Sequence, residues 1–146
     1  MWLRVAAVLT LIHAVLHTIG GVYGAPDPGP QTAAVTAMKE NTFVLFGQLR
    51  SYWIFYQGMG LIVTVFLTLE AVVFWLLGGL AKAGETRLRP VVLVFAVGYV
   101  AAALLSWQHF FFAPVITELL IAACLAVAAA GLGKQVIKSA SQVVSR

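Results

Sequence analysis

"YWIFYQGMGLIVTVFLTLEAVVFWLLGG" (Tyr52–Gly79) carries a single formal charge, at Glu70, in 28 residues. As a helix rising about 1.5 Å per residue it would reach roughly 42 Å, longer than the ~30 Å hydrocarbon core of a bilayer. A run this long and this apolar is read as a transmembrane helix. Three more segments have the same character, near Trp2–Val22, Pro90–Gln108 and Pro114–Gly133. The expected fold is therefore all-α, a four-transmembrane-helix bundle formed by one integral membrane domain spanning residues 1–146.

Composition supports this reading. The 146 residues are 62% hydrophobic and 10% charged, with a mean hydropathy of +0.98. A soluble domain carries about 25% charged residues, and one this small could not bury so much apolar surface. The net charge of +4 does not indicate a nucleic-acid partner, because the basic residues sit at the ends of apolar runs and not among exposed aromatics. The lone Cys124 has no intrachain disulfide partner.

Local signals set the segment ends. Pro90 and Pro114 suit the first turn of a helix, where a missing N–H costs little. Gly131 and Gly133 suit a C-terminal stop. Tyr23 falls at a position that signal peptidase needs small, so the first segment is read as a retained helix and not as a cleaved leader. The outer loop, 23–51, begins with the turn-rich "GAPDPGPQ" (Gly24–Gln31). It continues with Thr32–Phe46, which is expected to form a short helix lying on the membrane surface or capping the bundle. "QHFFFAP" (Gln108–Pro114) is a tight connection. The loop 80–89 is basic, and so is 134–146, read as a short tail or as a continuation of the last helix along the headgroups. Counting Lys and Arg puts seven on one side (Arg4, Lys82, Arg87, Arg89, Lys134, Lys138, Arg146) and two, Lys39 and Arg50, on the other. Positive charge marks the cytoplasmic side. The expected topology thus has both termini inside, in a bacterial cytoplasmic membrane.

Ionisable groups within a span are expensive and point to function. His13 and Glu70 lie roughly 14–16 Å from the cytoplasmic helix ends, and Tyr99 about as deep. His17 and Glu118 lie at about 22 Å, with His109 a little above. The expectation is two polar layers, an inner one with His13, Glu70 and Tyr99 and an outer one pairing His17 with Glu118. Thr10, His13, His17 and Gly20 form one stripe at helical spacing, and Tyr99, Ala102, Ser106 and His109 form another. Gln57, Gly60 and Thr64 share one face of the second span, while Tyr56 and Glu70 lie on another. Tyr52, Trp53 and Tyr56 suit an aromatic belt at the headgroups.

Three readings compete for these residues. In one they are hydrogen-bonded core groups that fix helix contacts. In the second, His13, His17, Glu70, Glu118, Gln57, Tyr56, Tyr99 and His109 form a ligand-binding site or a proton relay. In the third, His13, His17 and His109 are metal or haem ligands. A His pair one turn apart can face one metal, but there is no HExxH and no Cys pair. No nucleophile–base set, phosphate loop or catalytic carboxylate pair is present, so no residue is read as catalytic and no cofactor is named.

"SYWIFYQGMGL" (Ser51–Leu61), with "AVVFWLLG" (Ala71–Gly78) and "FFFAP" (Phe110–Pro114), resembles a family of short bacterial four-helix integral membrane proteins. That family carries a YWxFYxGxG-type box at the start of its second helix and has no assigned activity. Relatives carry an acidic residue where this chain has Ile54. The architecture is also similar, loosely, to DoxX-like proteins, some of which partner membrane redox enzymes. The resemblance implies the four-helix fold and no activity. The functional expectation is a non-enzymatic membrane module that binds a lipophilic or small ligand, or relays protons, at a His/Glu site. The alternative is a haem- or metal-dependent redox protein or subunit. Expected partners are the bilayer, a lipophilic small molecule, and a second copy or a membrane complex.

Overall fold

The computed structural model describes the backbone of residues 1–144 and the side chains through Gly133. The elements are α1 (Trp2–Leu16) continuing into a π-helical segment (His17–Val22), α2 (Pro30–Glu40), β1 (Thr42–Leu45), β2 (Gln48–Ser51), α3 (Tyr52–Lys82), α4 (Arg89–His109) and α5 (Phe112–Val144). Four stretches are long and apolar enough to cross a membrane: Trp2–Val22, Tyr52–Lys82, Arg89–His109 and Phe112–Gly133. The chain divides into two compact units, Met1–His13 with Thr68–Arg146, and Ala14–Leu67.

The first unit holds the start of α1, the second half of α3, and α4 and α5. Its core contains Phe74, Val92, Ile121 and Leu125, all fully buried. Lipid offers no hydrophobic drive for helices to associate, so close packing and interhelical hydrogen bonds must hold them. The buried small residues Ala6, Ala7, Ala96, Ala103, Ala122 and Ala129 allow that approach. Phe74 fills the space they leave, edge-on to Phe95 at 5.0 Å between ring centroids. Large apolar side chains such as Val94, Val97, Leu104 and Leu105 are exposed, as a lipid-facing surface requires.

The second unit holds the π-helical segment, α2, the strand pair and the first half of α3. The expected regular helix 2–22 widens at its end. Tyr23 N–H bonds to Thr18 O, five residues back, at 3.1 Å. Gly20 and Gly21 weaken the preference for the tighter α turn at this point, and such wide turns recur at functional sites.

Two local expectations are corrected. The surface helix expected over Thr32–Phe46 ends at Glu40. Asn41 is extended and its amide donates to Ala37 O at 2.8 Å, after which Thr42–Leu45 pairs antiparallel with Gln48–Ser51. β-branched and aromatic residues favour the strand, and Phe46 (φ 48°) with Gly47 (φ 76°) makes the two-residue turn. Both central residues at positive φ define the turn type that matches strand twist. The second correction concerns Gly131 and Gly133, which do not stop the last helix. Neither takes a positive φ, and α5 continues to Val144. A helical glycine weakens a helix by about 1 kcal/mol and ends it only where the chain turns left-handed.

Candidate functional site

Each unit contains a polar cluster built on its helices. In the first, α4 places Tyr99 in the core, 6% exposed. Its hydroxyl donates to Glu70 Oε2 on α3 at 2.6 Å, and lies 3.4 Å from Thr10 Oγ1 on α1. Thr10 is fully buried and donates to Ala6 O at 2.9 Å. A carboxylate, a phenol and a hydroxyl therefore follow one another across three helices. Tyr99 has one proton to give. It goes to Glu70 or, after a small rotation of the hydroxyl, to Thr10 Oγ1.

Glu118 on α5 is 8% exposed. Its Oε1 accepts from Ser106 Oγ on α4 at 3.0 Å. Its Oε2 is buried and has no hydrogen-bond partner among the described residues. A buried carboxyl oxygen left unsatisfied costs about 1–3 kcal/mol, so such an atom calls for an explanation.

The second unit places His17 at the start of the π-helical segment, half-buried, with Nε2 3.0 Å from Gly60 O on α3. A carbonyl only accepts, so Nε2 carries the proton in this contact. Thr64 Oγ1 donates to the same carbonyl at 3.2 Å, and Thr18 and Thr64 meet at 2.9 Å. Gly60 permits the approach, because a Cβ there would sit 2.8 Å from Val22 Cγ2. Tyr56 is exposed and donates to Gly21 O at the long distance of 3.4 Å. Gln57 is half-buried and makes no side-chain hydrogen bond among the described residues.

Of the expected inner set, Glu70 and Tyr99 are in contact. His13 is half-buried on α1. Within its own unit, His17 has the Gly60 carbonyl as a partner, and Glu118 has the Ser106 hydroxyl. Ser106 lies three residues before the end of α4 and Glu118 six residues after the start of α5, and the short turn between the helices brings them within hydrogen-bond reach. The place of Thr10 on the His13 stripe was readable in the sequence. The Gly60 carbonyl was not, since a backbone oxygen leaves no trace in residue type.

His109 is exposed at the end of α4 and uses Nδ1 on Leu105 O of its own helix at 3.0 Å. Among the described residues, no group of three or more His, Cys, Asp and Glu side chains could hold a metal ion. Comparison with family models, curated proteins and solved structures finds no match to this chain.

Proposed function

We propose that this chain is a non-enzymatic integral membrane protein of the bacterial cytoplasmic membrane, with both termini inside, that relays protons through its buried Glu70–Tyr99–Thr10 cluster. The observation that carries this reading is the 2.6 Å contact between Tyr99 Oη and Glu70 Oε2, with Thr10 Oγ1 next in line at 3.4 Å. Intramembrane carboxyls with hydroxyl partners are the usual parts of proton relays. A proton arriving at Glu70 passes to Tyr99 Oη as the phenol hands its own proton to Thr10 Oγ1, and Thr10 gives up the proton it had directed at Ala6 O to a water beyond the cluster. Proteoliposomes loaded with a pH-sensitive dye test this directly. Under a potassium-diffusion potential, the wild-type protein should carry protons faster than empty vesicles. Glu70→Gln and Tyr99→Phe should each bring the flux to the empty-vesicle rate. Wild-type flux no higher than that of empty vesicles overturns the reading, as does full flux in both variants.

The unpartnered Glu118 Oε2 favours a second reading, in which this buried oxygen accepts a hydrogen bond from a small bound ligand or water. Mass spectrometry of the purified protein would find a co-purifying donor compound in the wild type and lose it in Glu118→Ala. A Soret band or stoichiometric metal in the purified protein would displace both readings in favour of a redox role.

A further inference from the structure

At one end of the first unit, the start of α1, the end of α3 and the later part of α5 enclose an open cavity of about 740 Å³. That size falls within the range of small-molecule sites. Its walls are apolar, with Val5, Val8, Trp75 and Val127 among them. Arg4 and Lys82 stand at its edge. Lys82 is the last residue of α3, and Arg4 is in the first turn of α1, so both cations mark where the spans leave the membrane.

Arg4 is held in place. Its stem runs against Gly78, where a Cβ would sit 3.0 Å from Arg4 Cγ. Its guanidinium lies over the Trp75 ring at 4.8 Å. Stacking uses the flat face of the guanidinium and leaves its edge, with the N–H donors, free for an anion. Neither Arg4 nor Lys82 forms an ion pair among the described residues. Two unpaired cations at the mouth of an apolar groove, at the membrane boundary, match a molecule with a phosphate at one end and hydrocarbon at the other.

We infer that this groove binds one anionic phospholipid, its phosphate on Arg4 and Lys82 and an acyl chain along Val8, Trp75 and Val127. Basic pockets between transmembrane helices recognise lipid headgroups in this way. The inference is independent of the proton-relay reading, since Glu70, Tyr99 and Thr10 do not line the groove.

Native mass spectrometry of the intact, detergent-solubilised protein tests it. Phosphatidylglycerol should bind one to one, at least tenfold tighter than phosphatidylcholine. Arg4→Gln combined with Lys82→Gln should weaken phosphatidylglycerol binding about 30-fold, at about 1 kcal/mol per cation. Arg4→Lys with Lys82→Arg keeps both charges and should keep the preference. Gly131→Trp, at a position in the groove wall with open space where the side chain would enter, should abolish binding with both cations intact. Circular dichroism would confirm the helical fold of each variant. Inorganic phosphate at 10 mM should not displace the lipid. Equal binding of the two lipids overturns the inference. So does unchanged binding in the double Gln variant or in Gly131→Trp, loss of preference in the charge-retaining variant, or displacement by phosphate.

Discussion

Gly60 shows how one missing side chain can organise a site. Its carbonyl accepts from His17 and Thr64, and its bare Cα lets Val22, 2% exposed, close over it. Gly60→Ala would push a methyl to 2.8 Å from Val22 Cγ2, and overpacking of this kind costs about 1–3 kcal/mol. The expected outcome is a lowered unfolding midpoint in detergent, with most of the loss recovered in the Gly60→Ala, Val22→Ala double variant. A loss that Val22→Ala does not relieve would show that the glycine matters for backbone reasons instead. Gly24 is stricter, because a Cβ there would meet the backbone oxygen of Gly20, and backbone cannot move aside as a side-chain tip can.

Among the elements, the strand pair departs furthest from the sequence expectation. One short helix is expected for Thr32–Phe46, but strand pairing takes its last third. The turn offers Phe-Gly where Asn-Gly is the usual signal, so its strongest cue is missing. Phe46 sits at φ 48° and is 96% exposed, with no packing to offset a left-handed backbone. That conformation costs a residue with a Cβ about 1–2 kcal/mol. Phe46→Asn should therefore stabilise the hairpin by about 1 kcal/mol, or roughly fivefold slower amide exchange in its bonded pairs. Exchange that is unchanged or faster would mean that the Phe46 ring has a partner in the membrane or on another protein. The π-helical turn at His17–Val22 escaped for a related reason: periodicity does not distinguish a helix from a helix with a widened last turn.

For the molecule in its membrane, charge placement carries the orientation. On the proposed topology, which rests on seven basic residues against two, the hairpin is expected outside and the α3–α4 connection inside. Phe46→Cys should react with a membrane-impermeant maleimide in intact spheroplasts, and Ala83→Cys only after permeabilisation. Cys124 is buried, 7% exposed, and should stay silent in both. The reverse labelling pattern would invert the topology.

The four spans were legible because length and apolarity are local properties: any 20 such residues must satisfy their backbone inside a helix when the solvent is lipid. That Glu70, Tyr99 and Glu118 would need polar partners was legible for the same reason, since polar groups are rare and costly in that solvent. Their partners were not. Which groups meet depends on the rotation and register of helices far apart in the chain, and one residue of slip turns a side chain by about 100°. Only the tertiary structure could decide that Tyr99 bridges Glu70 and Thr10, that Glu118 meets Ser106, and that His17 leans on a backbone carbonyl.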